Sequence, residues 1–280
     1  YRYQSFRSNS ESSIVVECRY QNSSMFKKKS LGQHFLQSPH YVRMIADAAD
    51  LHPGELVVEV GPGEGALTRE LLAREAQVVA VEKDHRLIPI LTETFANEIA
   101  EKKLQVVEAD AAEVEMSGIV RGPYKVVANI PYYLTGVLFR KFFSEKKQPS
   151  TLVFLIQKEV AERIAREKKE SILSLSVKVY GDVRYVHTVP RGAFVPPPTV
   201  DSAILAVSNI SRKHFTSPAH EERFFELVKM GFGQKRKLLK RNIEPLLGTE
   251  TLDRMQHADI AENARAEDVS LGQWVTLSNF

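Results

Sequence analysis

One cysteine, Cys18, stands in a chain of 280 residues, so no internal disulfide framework can form. No C-x-x-C pair and no histidine cluster accompanies it, and the sequence offers no metal site. No apolar run approaches the roughly 20 residues needed to cross a bilayer, and neither an internal repeat nor a low-complexity linker is present. Charge of one sign is also scarce. The 38 Lys and Arg against 35 Asp and Glu leave a net +3. Any affinity for nucleic acid must therefore come from local patches and not from bulk charge.

Residues 1–24 lack a clear apolar period and the apolar h-region of a secretion signal. They are rich in Ser, Tyr, Asn and Gln. Three arginines and many serines resemble an organellar transit peptide, but Glu11 and Glu17 argue against one. The segment reads as a disordered extension ahead of Met25, a natural start. The remaining chain, with 43% hydrophobic content overall, can bury one sizeable core and a small second domain.

What is there begins with Leu56–Val60, an apolar strand interrupted by one acid, Glu59. It runs into Gly61-Pro62-Gly63-Glu64-Gly65 and then into a helical pattern from Ala66 to Leu72. Strand, glycine turn and helix open a nucleotide-binding α/β unit. The spacing is G-x-G-x-G, not that of dinucleotide dehydrogenases, and Pro62 lacks the N–H that a pyrophosphate would want. A ligand with a ribose and an amino-acid tail but no phosphate fits better: S-adenosyl-L-methionine. Two further strands each end in an acid. Gln77–Val81 leads to Glu82, placed to accept ribose hydroxyls, and Leu104–Ala109 leads to Asp110, placed to accept an adenine amino group.

Asn129-Ile130-Pro131-Tyr132 follows the apolar strand Tyr124–Ala128. The Asn side-chain oxygen and the Ile130 carbonyl can both accept from an exocyclic amine, Pro131 stiffens the turn, and Tyr132 offers a stacking face. Four residues recur by accident, and so do glycine turns. Their occurrence together with two strand-end acids is what carries weight.

Taken in order, these segments resemble the ribosomal RNA adenine N6-dimethyltransferases. Lys28-Lys29-Ser30-Leu31-Gly32-Gln33-His34-Phe35-Leu36 is similar to the family's N-terminal signature, which folds over the methionine end of the cofactor. Glu59–Thr68 resembles its glycine motif and Asn129–Tyr132 its catalytic motif. Gln157–Ala161 resembles the segment closing the fifth strand, Phe194–Ser202 the late proline-rich motif, and Gly231–Lys237 the basic motif of the C-terminal domain. The resemblance implies a Rossmann-like class I methyltransferase sheet over 25–209 and a small all-helical, RNA-binding domain over 210–280. It implies His34, Leu36, Gly61, Gly63, Gly65, Glu82, Asp110 and Asn129 at the cofactor, and Asn129, Ile130, Pro131, Tyr132 and Phe194 at the target base. His34 departs from the Asn of many bacterial members, although it can still donate a hydrogen bond.

Two basic patches stand out: Lys27-Lys28-Lys29, and the run Lys235, Arg236, Lys237, Lys240, Arg241. The second is predicted on one exposed face of a helix over 235–246, opposite Leu238, Leu239 and Ile243. Beside an adenine-binding motif, both read as RNA phosphate contacts. Helices are also expected at 41–49, 172–180, 220–230 and near Val269, with a closing antiparallel pair at 183–189 and 202–208. Glu64, Gln157, Glu159, Asp201 and Ser202 are read as turn, loop or packing residues.

The bacterial small-subunit type is the closest by resemblance. It implies dimethylation of adenosines, two adjacent ones, in a loop of small-subunit ribosomal RNA on a pre-30S particle, by a cytoplasmic monomer without metal. Two alternatives remain: a large-subunit or DNA adenine methylase, the former of the macrolide-resistance type, and a ribosome-assembly factor with little catalysis. The basic C-terminal motif favours the first reading over the second, and an intact Asn129 and Tyr132 disfavour the third as a sole role.

Overall fold

The structure, a computed structural model, describes residues 34–280. The expectations for residues 1–24, for Lys27, Lys28 and Lys29, and for the start of the N-terminal signature lie outside the described residues. Strand β1 (Phe35–Leu36) is followed by α1 (Pro39–Ala48), β2 (Leu56–Val60), α2 (Ala66–Ala73) and β3 (Gln77–Glu82). Then come α3 (Ile88–Thr94), α4 (Ala96–Ala100), β4 (Leu104–Glu108), β5 (Lys125–Asn129), α5 (Thr135–Ser144) and β6 (Thr151–Gln157). The alternation of strand and helix predicts a parallel sheet, and the first five strands of the order β4-β3-β2-β5-β6 are indeed parallel.

After α6 (Lys158–Ala165) and α7 (Ile172–Lys178), strands β7 (Asp182–Val189) and β9 (Ser202–Ser208) close the seven-stranded sheet as the expected antiparallel pair. Between them, β8 (Phe194–Val195) leaves the sheet and pairs with β1. Helices cover both sheet faces, which is why the strands read as unbroken apolar runs. Adjacent residues feed opposite layers. Val57, Val78 and Val127 pack with Leu71, Leu91 and Phe95, while Val58, Val79 and Val126 pack with Phe139, Phe142 and Phe154.

Everything after Ser208 is helical: α8 (Pro218–Gly231), α9 (Leu239–Leu247), α10 (Thr251–His257) and α11 (Leu271–Ser278). The apolar faces of these helices, including Phe224, Leu227, Ile243 and Trp274, join the same continuous cluster as Phe142 and Phe154. A ring ladder crosses the boundary expected at 209/210, from Phe143 onto Tyr180 at 4.7 Å and on to Phe225 at 6.1 Å. Beside it the Tyr180 hydroxyl donates to Glu221, and Arg212 donates to the carbonyls of Phe143 and Glu145.

One helix start differs from expectation. Residues 233–238 form turns, and α9 begins at Leu239, so Lys235, Arg236 and Lys237 do not lie on a helix. The cause is tertiary. Asn242 is buried and donates its Nδ2 to the Gly231 and Gln234 carbonyls at 2.6 and 3.2 Å, which holds the chain in a turn after α8. The Leu239 N–H meanwhile bonds the Ala264 carbonyl at 2.8 Å. Helix α10 carries no expectation from the sequence.

Gly231 tests this packing. A methyl group there would lie 2.5 Å from Trp274 Cη2 and 2.9 Å from Leu239 Cδ1. Gly231→Ala should therefore lower stability by roughly 1–3 kcal/mol, although alanine is the better helix former. Thermal denaturation decides, because a rise in Tm would mean the three helices are not packed this closely.

Candidate active site

The parallel pairing of β2 with β5 sets Val60 opposite Ala128, so the glycine turn and Asn129 emerge at one sheet edge. A Cβ on Gly61 would sit 3.8 Å from the Asn129 carbonyl oxygen. Gly61, Gly63 and Gly65 have φ of 68°, 60° and 83°, a region that L side chains rarely adopt. A cavity of about 1000 Å³ opens over this edge. Gly61 and Gly63 line it, but Gly65 does not. Gly65 was expected at the cofactor. It also lets α2 begin against Phe95, whose ring would lie 2.4 Å from an added Cβ.

The other expected cofactor residues, His34, Leu36, Glu82, Asp110 and Asn129, all line the cavity. Glu82 is buried and accepts from the Asp84 N–H at 2.8 Å and the Gly63 N–H at 3.2 Å. Burial raises its pKa despite these bonds. Asp110 takes the Lys83 ammonium at 2.6 Å and the Ala112 N–H at 2.9 Å, and the Lys83 bond holds its pKa below the ordinary range.

Glu59 carries no role in the sequence reading, yet it faces the same cavity and is 1% exposed. Its Oε2 accepts from the Thr68 hydroxyl at 2.6 Å, while Oε1 has no partner. Burial, and then repulsion from Glu82, push its pKa to about 8 against the opposing Thr68 bond. The signal was available: an acid inside an otherwise apolar strand is costly unless something pairs it.

At the other end of the cavity, Tyr132 begins a 3₁₀ turn to Leu134 that is closed by the Leu134 N–H on the Pro131 carbonyl at 2.9 Å. The Tyr132 hydroxyl pairs with Ser202 Oγ at 2.8 Å. Burial raises its pKa, so the phenol stays protonated. Ser202 is thus more than a loop residue, because it orients the ring. Asn129 Nδ2 donates to the His34 carbonyl at 3.3 Å, which leaves Oδ1 as a free acceptor. Phe194 lines the cavity from β8 but is 2% exposed.

His34 Nδ1 donates to the Pro196 carbonyl at 2.8 Å, and the Gln37 N–H bonds the Ala193 carbonyl at 3.0 Å. With the β1–β8 pairing these bonds strap the start of the described chain to the proline-rich segment, beside the Tyr132 ring (6.1 Å between the His34 and Tyr132 centroids). The His34 donor expected for the cofactor is therefore engaged within the protein.

Outside the cavity, Lys235, Arg236, Lys237 and Arg241 are exposed on the turn and the start of α9. Lys240 is half-buried and reaches Glu262 at 3.3 Å, so the five cations do not form a single helical face. No group of residues that could hold a metal ion occurs among the described residues, and no helix is long and apolar enough to cross a membrane.

A parallel sheet with an antiparallel closing pair, a glycine turn and strand-end acids defines a class I methyltransferase. Solved structures agree. The 23S rRNA methyltransferase ErmE superposes with a TM-score of 0.71 and 28% identity over 87% of this chain and 98% of its own. A dimethyladenosine transferase from Plasmodium falciparum gives 0.75 and 26% over 87% and 96%. The family profile "Ribosomal RNA adenine dimethylase" matches residues 25–280. Proteins named ribosomal RNA small subunit methyltransferase A are 41% identical in Dehalococcoides mccartyi (89% of this chain, 87% of that protein) and 39% in Bacillus mycoides (90% of each). The chain belongs to the ribosomal RNA adenine dimethylase family.

The Glu59 carboxyl gives a pH signature. Its folded pKa of about 8 lies above its ordinary value of 4.5. Its contribution to stability is thus fully present below the ordinary glutamate range and is lost as pH rises through about 8. Glu59→Gln should gain stability relative to the parent protein as pH rises through that window. A pH series of melting curves checks this, and a constant offset would show that Glu59 does not titrate there.

Proposed function

We propose that the protein transfers methyl groups from S-adenosyl-L-methionine to N6 of adenosines in small-subunit ribosomal RNA, dimethylating its target during ribosome biogenesis. The observation that carries this reading is one cavity in which buried acids and Asn129–Tyr132 converge. The family and its relatives supply the substrate class.

The residues fit the cofactor. Glu59, with an unpartnered oxygen, and Glu82, with an acidic neighbour, are buried carboxyls that a cation would draw into their ionised forms. That suits a cationic sulfonium with an ammonium tail and disfavours a phosphate. Glu82 is read as the ribose acceptor, Asp110 as the acceptor for the cofactor's adenine amine, and Glu59 as the partner of the ammonium. When bound, S-adenosyl-L-methionine supplies an activated methyl: N6 bonds to its carbon while the C–S electrons pass to sulfur.

Adenine N6 is a weak nucleophile because its lone pair is delocalised into the ring. Asn129 Oδ1 and the Ile130 carbonyl accept its two N–H groups and direct the lone pair toward the methyl. Tyr132 stacks on the base, worth about 1–3 kcal/mol, and Phe194 is read as bounding the other side. Positioning supplies most of the acceleration. Tyr132 stays protonated and does not act as a base, and the alkylated ammonium releases its proton to water. The target must leave its stack or be unpaired, which favours an RNA loop. The turn cations Lys235, Arg236 and Lys237, with Lys240 and Arg241, are read as phosphate contacts of a cytoplasmic monomer.

The test is to incubate the protein with labelled cofactor and undermethylated small subunits, then map modified adenosines by mass spectrometry. Modification confined to large-subunit RNA would overturn the substrate assignment. Asn129→Ala should lower kcat on the order of 10²-fold with little change in cofactor affinity, since it removes positioning. An equal loss of cofactor binding would mean its role is misassigned. Neutralising Lys235, Arg236 and Lys237 together should weaken RNA binding and flatten the slope of log K against log salt by about 2–3. An unchanged slope would put the RNA surface elsewhere.

A further inference from the structure

Among the described residues, Tyr133 is the most exposed large hydrophobic side chain, at 68%, although it sits next to the half-buried Tyr132. It lines the mouth of the same cavity. Its backbone is not loose. The 3₁₀ turn carrying it is closed by the Leu134 N–H bond, and the Thr135 hydroxyl donates to the Tyr132 carbonyl at 2.9 Å. Helix α5 then continues directly, with Leu138, Phe139, Phe142 and Phe143 buried in the core. The backbone beneath the ring is therefore fixed, and the ring is turned to solvent, where it contributes nothing to the core.

Its surroundings fit one kind of partner. Tyr133, Val137 and Arg140 follow one another at spacings of four and three, the same side of a helix, and all three are exposed. Arg140 takes part in no ion pair among the described residues. Across the mouth, the exposed Lys83 ammonium lies within electrostatic reach of the Tyr133 phenol. An aromatic face beside an unpaired guanidinium is the pattern that holds a stacked base and its phosphate.

The geometry points to Tyr133 as a stacking platform for the nucleobase that flanks the target adenosine in the same RNA strand. Drawing the target into the cavity removes one of that neighbour's stacking partners, at a cost of a few kcal/mol, and a ring fixed at the mouth replaces it. This rests on the adenosine reading above, and deepens it by naming a specificity-determining contact outside the reacting pocket. Arg140 flanks the platform as its phosphate partner.

The experiment uses the full chain and a short hairpin RNA with the target adenosine, intact or with an abasic nucleotide on either side of it. Tyr133→Ala should raise KM for the intact RNA about 5- to 100-fold, the range that stacking on one base supplies. The kcat, cofactor affinity and salt slope should stay near the parent values. Tyr133→Phe should restore KM, because the face and not the hydroxyl is used. On RNA lacking the flanking base on one particular side, parent and Tyr133→Ala should become equal. A Tyr133→Ala penalty of the same size on both abasic RNAs, or none on intact RNA, overturns the platform while leaving adenosine methylation standing. Failure of the parent protein to methylate any of these RNAs, with small subunits also unmodified, sinks the adenosine reading itself and the platform with it.

Discussion

Parallel pairing of β2 with β5 is the constraint on which the site depends. The chain winds outward from β2 through β3 to β4, then returns to lay β5 on the other side of β2. That reversal makes a crevice at the carboxyl ends of the two central strands, where open α/β sheets bind ligands. Residues about 70 positions apart are brought together by it, so that a Cβ on Gly61 would meet the Asn129 carbonyl oxygen at 3.8 Å. A shift of one residue in this register would turn every side chain of β5 to the opposite layer, so the core and the site are specified by the same pairing. The β1–β8 strap then closes the crevice from above, using backbone bonds and the His34 ring.

Within the crevice, electrostatics and sterics are kept apart. The acids lie toward the glycine turn, and the aromatics and amide lie on the turn after β5. Buried carboxyls are costly to ionise without a partner, and Glu59 answers that cost in the free protein by holding its proton up to about pH 8. An arriving ammonium makes the ionised form favourable. On the proposed reading, the site is thereby suited to a cation more than to the empty state. Asp84 and Asp110, nearer the surface, are already neutralised by Arg86 and Lys83. The two floor carboxyls, Glu59 and Glu82, have no basic side chain paired with them among the described residues.

Much of this was legible in the residues. Strands covered on both faces read as apolar runs, so β2 through β6 and the acids at their ends could be placed, and the glycine spacing excluded a pyrophosphate ligand. What could not be read came from contacts distant in the chain. Ser202 lies 70 residues from the Tyr132 hydroxyl that it orients, and no local pattern announces that bond. The cations at 235–237 share a helical period with Leu239 and Ile243, yet Asn242 bonds two carbonyls behind it and keeps the chain in a turn. Gly65 fits a cofactor motif by spacing, and its packing constraint against Phe95 at the start of α2 is a further demand that spacing does not show. Glu59 could have been found, since an acid in a buried strand asks for an explanation on composition alone.

The division of labour among aromatic residues follows from burial. Phe194 and Tyr132 are enclosed to different degrees, so each can meet only a base that has entered the cavity, whereas Tyr133 meets whatever stays outside. On the proposed reading, a strand bound only at its target base would leave the neighbouring base without a stacking partner and would bind more weakly. A second grip one nucleotide away replaces that partner without touching the reacting atoms. Phosphate contacts at the distant turn cations cannot do this, because ionic contacts to a flexible backbone fix position far less sharply than a ring face fixes a plane. Binding of the flanking base would thus rest on an aromatic side chain just ahead of α5, whose four buried apolar side chains anchor the backbone that carries it.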